Sequence, residues 1–393
     1  MTVESKPTLG IGMVGYAFMG AAHSQAWRNG PSFFDPPVRP RLAVVGGRNR
    51  EAAAAVAARF GWRDVETDWR ALIARDDVDL VDICTPGDTH AEIAIAALEA
   101  GKHVLCEKPL ANTVEEAEAM VAAADAAREN GVRSMVGFTY RRVPAIGLAR
   151  RLVAEGRMGD IRHVRAQYLQ DWITDPEAPL SWRLQKDKAG SGALGDIGAH
   201  IVDLTQYITG EQITGVSGMV ETFVKERPIP ESASGLFGVA GTERGEVTVD
   251  DAAAFLARFT GGGLATFEAT RFASGRKNAI RIEINGSAGS LAFDFEDMNV
   301  LHVYDHTEDP ATAGFTRVLV TEPVHPYISA WWPPGHLLGY EHGFTHQAVD
   351  LLTAIAEGRD PEPSFAGGLA IQRVLAAVEQ SAAKDSVWTE IPR

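Results

Sequence analysis

The chain has 393 residues, 45% of them apolar and 23% charged, and carries a net charge of -15 at pH 7. That size suits roughly two ordinary domains of a globular protein, and the acidic balance argues against a phosphate-backbone partner, so no nucleic acid is expected. No window offers the ~18 uncharged apolar residues of a membrane helix, and the first ten residues lack the apolar core of a signal peptide, which predicts a cytoplasmic protein with no membrane partner.

Residues 9–15 form a short apolar run that ends in glycine, as a buried strand feeding a turn would. The turn is Gly15-Tyr16-Ala17-Phe18-Met19-Gly20, a Gly-x-Gly-x-x-Gly dinucleotide fingerprint with Ala17 in place of the middle glycine. The first glycine allows the tight turn and the last lets helix and strand pack closely. Alanine is the smallest side chain that can replace glycine where the backbone meets a pyrophosphate. A helix over 21–27 and a Pro- and Phe-rich loop from Gly30 are expected next. The second strand, 41–46, runs into Gly46-Gly47-Arg48-Asn49-Arg50. An NAD-binding fold usually ends this strand in an acid that holds the ribose 2′-hydroxyl. Here Arg48 replaces it, and a guanidinium offers a 2′-phosphate two parallel donors. NAD(P) is the expected cofactor, with NADP mildly favoured by Gly46-Gly47-Arg48. An Arg48 that simply points to solvent would accept either.

The alternation continues. A helix over 50–60 opens at Asn49 and closes at Gly61, and a strand over 80–84 ends in Thr85-Pro86. Thr89 opens a helix that Gly101 stops, and a strand over 102–106 runs straight into Glu107-Lys108-Pro109. In an open parallel sheet the carboxyl ends of the strands face the ligand crevice, which puts the Lys108 ammonium at its mouth. Read alone, the stretch is equally compatible with a surface ion pair at a strand end. Thr113 and Glu116 have the spacing of a capping box for a helix ending at Gly131, and a strand over 132–138 follows. Strand, helix, strand at this spacing predicts an α/β fold: a Rossmann, doubly wound parallel sheet over residues 1–142.

Beyond residue 160 the helical spacers thin out. Strand-like runs at 164–169, 215–224, 247–259, 264–272, 279–284 and 289–294 predict an α+β domain over 143–393 with a largely antiparallel open sheet. The acid-rich stretches 226–250 and 305–324 read as solvated loops. Helices over 343–357 and 365–383 close the chain and are free to pack back on the first domain. Asp196 and His200 stand four apart in a helix-like segment, so they share one face. An imidazole near a carboxylate is what general acid–base work needs, although a buried structural pair has the same spacing. Cys84 and Cys106 read as reduced core residues, and no other histidine or carboxylate pair has ligand spacing, so no metal is expected.

Glu107-Lys108-Pro109, the glycine turn and the downstream Gly195-Asp196-Ile197-Gly198-Ala199-His200 together resemble the Gfo/Idh/MocA oxidoreductase family over nearly the whole chain. Tyr168-Leu169-Gln170-Asp171-Trp172, Pro179 to Arg183, Gly190 to Asp196, Gly137 to Arg142 and His325-Pro326-Tyr327 resemble its sugar-oxidising branch of levoglucosan and inositol dehydrogenases. The resemblance implies Lys108 and His200 as the acid–base pair, with Asp196 holding substrate hydroxyls and orienting His200. It implies that Gly15, Ala17, Phe18, Met19 and Arg48 hold the dinucleotide. Thr85, Pro86, His90, Glu107 and Lys108 would line its nicotinamide-ribose side, and Trp182 and Arg183 would close over it. Tyr140, Gln170 and Trp172, with Lys108, Asp196 and His200, would form the sugar pocket. A homodimer or homotetramer is expected on the same ground.

The expected activity is hydride transfer between a secondary hydroxyl of a sugar, anhydrosugar or inositol and NAD(P). Two alternatives stand beside it: an NADPH-dependent reductase of a ketosugar or dicarbonyl compound, and a non-catalytic NAD(P)-binding regulator that kept the fold.

Overall fold

Six of the seven residues of β1 (Thr8–Val14) are buried, and the strand leaves through Gly15, whose φ of +98° favours glycine. The computed structural model describes residues 6–234 and 237–392. Helix α1 (Phe18–Phe33) runs well past the expected 21–27, because Trp27 and Gly30 are buried on it and Pro31 falls only in its last turn. There the missing N–H removes a single helical bond. The chain continues through β2 (Arg39–Gly46), α2 (Arg50–Phe60), β3 (Asp64–Glu66), α3 (Trp69–Ile73) and β4 (Leu80–Ile83). Then follow α4 (His90–Glu99), β5 (His103–Cys106), α5 (Val114–Arg128) and β6 (Ser134–Val136). Asn49 caps α2 through its side chain, Gly61 ends it in a left-handed conformation, and Thr113 with Glu116 forms the capping box of α5. The six strands pair in parallel in the order β3-β2-β1-β4-β5-β6. The order reverses between β1 and β4, the switch point where such sheets take their ligands.

Next come α6 (Pro144–Ala154), β7 (Ile161–Leu169), the short α7 (Lys186–Ala189), a π-helical turn (Leu194–Gly198) and α8 (Ala199–Thr209). Strands β8 (Ile213–Glu221), β9 (Glu226–Ser234), β10 (Phe237–Glu246), β11 (Ala252–Phe259) and β12 (Leu264–Thr270) follow. The last of the series are β13 (Ala279–Gly286), β14 (Gly289–Asp294), β15 (Val300–Asp305) and β16 (Thr316–Leu319), then α9 (Tyr340–Glu357), α10 (Phe365–Ala382) and β17 (Thr389–Glu390). Nine of these strands form one sheet, ordered β16-β15-β14-β13-β7-β12-β11-β8-β17. Only β7 and β12 run parallel in it; the other pairs are antiparallel. Alternate residues of β11 and β12 are buried, and Phe255 and Phe267, paired in register, stack with centroids 4.6 Å apart.

Two stretches expected as loops are ordered strands. Within the first, β9 (Glu226–Ser234) and β10 (Phe237–Glu246) pair as a separate two-stranded sheet, and the prolines at 228 and 230 interrupt the period-two pattern and coincide with register shifts. Thr316–Leu319 is an edge strand with mostly exposed side chains, which gives no alternation to read.

The chain divides into two compact units. One comprises the residues up to Thr139 together with Tyr340–Ala370; the other comprises Tyr140–Gly339 and the residues from Ile371 on. In the first, Phe344, Ala348, Leu351 and Leu352 of α9 share a core with Leu9, Ile11, Met13 and Trp27. Among the described residues, no helix is long and apolar enough to cross a membrane.

Candidate active site

Close backbone packing shapes the turn after β1. A Cβ on Gly15 would lie 2.7 Å from the Cys84 carbonyl, and one on Gly20 would lie 2.3 Å from the Gly15 carbonyl oxygen. Ala17 is the N-cap of α1 in an extended conformation. Its methyl group cannot cap the first-turn N–H groups, which leaves them to an anion. Phe18 is 50% exposed and stacks on Tyr340 with centroids 6.2 Å apart, and Met19 is half-buried beside it. This tight turn, with an uncapped helix start at the sheet's switch point, fits a dinucleotide pyrophosphate. At the end of β2, a Cβ on Gly47 would lie 2.0 Å from the Tyr16 ring. That ring takes the room an acidic side chain at 47 would need, which accounts for Gly47. Arg48, next along, is exposed.

Lys108 follows β5 directly and is half-buried. Its backbone N–H donates to Glu107 Oε2 at 3.3 Å. Glu107 is buried, and its own N–H donates to the Ile83 carbonyl at the end of β4. Behind it stands His23 of α1, with Nε2 at 2.9 Å from Glu107 Oε1 and Nδ1 at 2.9 and 3.0 Å from the Asp82 oxygens. Asp82 also accepts from Trp27 Nε1 at 2.7 Å and from the Cys84 thiol at 3.6 Å. The ligand atoms of His23, Asp82 and Cys84 lie within 4.8 Å of one another, and the hydrogen bonds just given join them. Burial by itself draws the His23 ring toward neutrality, but Asp82 and then Cys84 together outweigh it and the pKa stands well above the ordinary value. Burial, then Asp82, pushes the Cys84 thiol up to about 12, and burial with Glu107 raises Cys106 as well. Both cysteines are free, buried and therefore protonated core residues.

His90 ties the same corner together from α4. Its Nδ1 lies 3.0 Å from the Pro109 carbonyl oxygen and its Nε2 lies 2.9 Å from that of Thr85. It thus links the segment after Lys108 to the Thr85-Pro86 turn. Thr89 does not cap α4 through its side chain; its hydroxyl donates to Pro86 O and Thr85 Oγ1.

In the second unit, His200 occupies the first turn of α8 and is buried among aromatic rings. Its centroid is 4.6 Å from Tyr140 and 5.9 Å from Tyr168. The Tyr140 and Tyr168 hydroxyls share a 3.0 Å hydrogen bond, and Tyr168 donates to Asn278 Oδ1 at 2.6 Å. Gln170 Nε2 donates to Asn278 Oδ1 at 2.9 Å. Four side chains with hydroxyl and amide groups thus surround the imidazole's neighbours. Asp196 lies in the π turn, which replaces the expected α-helical turn, and its carboxylate is 3.8 Å from Arg271 Nη1. Arg271 is fully buried, stands 5.6 Å from the Trp172 ring, and donates to the Arg183 and Asp250 carbonyls. The Arg183 guanidinium lies 4.3 Å from the Trp182 ring, and burial holds its pKa below the ordinary value, with Asp196 opposing. Asp203, on α8, takes a two-pronged ion pair from Arg141; burial still raises its carboxyl.

The segment bearing Asp196 and His200 is clamped by Asp250. Its carboxylate accepts the Gly192 N–H at 2.7 Å and the Leu194 N–H at 2.8 Å, and its carbonyl accepts the Ala193 N–H. A Cβ on Gly192 would lie 1.7 Å from the Asp250 carbonyl oxygen, so only glycine fits there.

Comparison with known proteins agrees with both halves. Residues 9–138 match the oxidoreductase family with an NAD-binding Rossmann fold, and residues 146–292 match the GFO/IDH/MocA C-terminal domain. Levoglucosan dehydrogenase of Pseudarthrobacter phenanthrenivorans is 44% identical over 390 residues, 98% of either chain. The chain belongs to the GFO/IDH/MocA oxidoreductase family. An oxidoreductase domain protein from Kribbella flavida superposes on this family member with a TM-score of 0.94 at 74% identity, covering 98% and 100% of the two chains. A levoglucosan dehydrogenase in complex with NADH and levoglucosan gives 0.92 at 42% identity, covering 98% and 99%.

In this GFO/IDH/MocA chain, sequence reasoning singled out Lys108, Glu107, Tyr140, Gln170, Asp196 and His200 but not the groups that hold them. His23 and Asp82 were missed behind Glu107, as were Asn278, Arg271 and Asp250 around the second set. Asp82 inside an otherwise apolar strand was the one available signal, since a carboxylate buried there requires a partner.

Proposed function

We propose that this oxidoreductase is a cytoplasmic dehydrogenase that moves hydride between a secondary hydroxyl of a sugar, anhydrosugar or inositol and the nicotinamide of NAD(P). The observation that carries the reading is Lys108 at the carboxyl end of β5, next to a buried and doubly bonded Glu107. Residues 1–142 take the dinucleotide through Gly15, Ala17, Phe18, Met19, Arg48, Thr85, Pro86, His90 and Glu107, with Trp182 and Arg183 closing over it. Residues 143–393 take the substrate and self-associate. The nicotinamide, when bound, supplies the hydride acceptor. Lys108 or His200 takes the hydroxyl proton, and a lysine near a cationic ring becomes a better base. Asp196 bonds substrate hydroxyls and orients His200. Tyr140 and Gln170 offer donors and acceptors to a polyol, while Trp172 offers an apolar face.

The relative crystallised with NADH and levoglucosan makes levoglucosan the first substrate to try. Lys108→Ala is expected to bind cofactor normally and to lose all but about a hundredth of turnover. Near-normal NAD(P) reduction by that variant would refute the assignment. The glycine pair and exposed Arg48 support a ribose site that accepts NADP beside NAD, and favour reduction of a ketosugar with NADPH as the second reading. Met219, Leu256 and Leu264 are exposed on the open face of the nine-stranded sheet and support a homodimer or homotetramer. Light scattering showing a monomer would remove that part of the proposal.

A further inference from the structure

Both ring nitrogens of His23 face carboxylates, Asp82 on one side and Glu107 on the other. Carboxylates accept and do not donate when ionised, so a neutral ring could satisfy one of them only. The ring is 1% exposed and Asp82 is fully buried, so water does not make up the difference. Two ionised carboxylates in so dry a place need a cation between them. The thiols of Cys84, just past β4, and of Cys106, in β5, have their pKa values raised by burial. From α9 the Phe344 ring faces the imidazole at 5.5 Å, and within α1 Trp27 donates to Asp82. On the far side of Lys108, His90 of α4 is engaged with two backbone carbonyls. His23 meets Glu107 Oε1, while Glu107 Oε2 receives the Lys108 backbone N–H. Gly137 completes the enclosure, since a Cβ there would lie 2.8 Å from Glu107 Oε1.

We propose that His23 is a positioning residue: as an imidazolium bridging Asp82 and Glu107, it fixes the Glu107 carboxylate and thereby the direction in which Lys108 leaves the sheet. The proposal rests on Lys108 as a proton carrier. It goes beyond that reading by adding a buried charge relay behind Glu107, in which His23 of α1 and Asp82 of β4 belong to neither the cofactor nor the substrate residues. The raised pKa of the ring comes from its Asp82 and Cys84 side, and the contact with Glu107 rests on the 2.9 Å geometry.

Two variants separate positioning from mere stability. His23→Gln retains a donor near the Nε2 position and still reaches Glu107, whereas His23→Asn retains one near Nδ1 and releases Glu107. Both lose the cation and should lower Tm alike. Turnover should fall about tenfold or more in His23→Asn but stay within about threefold of wild type in His23→Gln, with cofactor Kd unchanged in both. Equal losses in the two variants would overturn the proposal. Nitrogen-15 spectra of histidine-labelled wild type give a second reading that needs no variant to fold. Both His23 nitrogens should carry protons at pH 7.5, and a ring with one protonated nitrogen would overturn the proposal outright. The sign of the pH effect follows from the raised pKa. The stabilisation from His23 is complete below the unfolded value of about 6.5 and is lost as pH rises through the folded value. The Tm advantage of wild type over His23→Gln should therefore shrink on the alkaline side. Lys108→Ala measured in parallel keeps the two claims apart: an active Lys108→Ala refutes the proton carrier, whereas an inactive Lys108→Ala beside a fully active His23→Asn refutes only the relay.

Discussion

Lys108 and His200, the two proposed proton carriers, are supported in opposite ways. Behind Lys108 lies a line of buried charge, with an imidazole between two carboxylates and an indole N–H on the far one. Around His200 the supporting groups are mainly neutral: two phenols, an asparagine amide and a glutamine amide. The segment that carries it is held to Asp250 by backbone N–H groups and by one glycine pressed on a carbonyl. Charge in a dry site is unforgiving of a lost partner, because the survivor stays buried and uncompensated. Neutral hydrogen bonds contribute only about 1 kcal/mol each, so the second arrangement depends on shape instead. One corner should therefore fail through electrostatics and the other through packing.

The largest effect should come from breaking the packing. In Gly192→Ala the new Cβ would meet the Asp250 carbonyl oxygen at 1.7 Å, and backbone cannot yield as a side chain can. A loss on the order of 3 kcal/mol is expected from such overpacking, read as a drop in Tm. Gly198→Ala, at the end of the π turn that follows, is the control. Its Cβ would lie 3.4 Å from the Ala269 Cβ, an ordinary contact, and Tm should barely move. Equal damage from both would mean that the whole segment from Gly192 to Gly198 tolerates no added side chain, and that Asp250 is not the clamp.

A smaller effect should follow from Tyr168→Phe, which removes one hydroxyl from the neutral network and leaves its ring in place. Tyr140, Asn278 and Gln170 each lose one partner, which should cost about 1–2 kcal/mol of stability. The KM for sugar should rise several-fold with cofactor Kd unchanged. No new ionisation should enter the pH profile, in contrast to His23, because no charge is left unpaired. A pH profile altered by Tyr168→Phe would blur the distinction between the two corners.

The same contrast decides what could be read from the chain alone. Lys108 was legible because its position depends on local punctuation: an apolar strand, two charged residues and a proline placed it at a strand mouth. The parallel sheet followed from glycine stops, the Thr113 and Glu116 box and the spacing of strands. The relay behind Lys108 was not legible, because His23 meets partners 59 and 84 residues away in sequence. No periodicity links a helix face to two strand ends. Asp196 and His200 were found by spacing, yet the π turn and the buried Arg271 beside Asp196 depend on contacts that spacing does not encode. The β9–β10 pair was hidden by its prolines, which register shifts absorb.

The smallest structural effect should come from an exposed charge in the first unit, and it tests whether burial is what makes the Lys108 corner sensitive. Arg48 is exposed after β2, with Gly47 pressed under the Tyr16 ring before it. Installing an acid at Gly47 would move that ring and confound any change in cofactor choice, so the informative exchange is at Arg48 itself. Arg48→Glu should leave the unfolding free energy within about 0.5 kcal/mol of wild type and Tm nearly unmoved, as surface exchanges generally do. A carboxylate there repels a 2′-phosphate and removes the paired donors, so NADP affinity should fall by about tenfold while NAD affinity holds. If NAD and NADP affinities move together, Arg48 does not read the ribose and the preference lies elsewhere in the turn. If Tm falls as it does for His23→Gln, exposure is no guide to which charges the first unit depends on, and the contrast between buried and neutral support loses its basis.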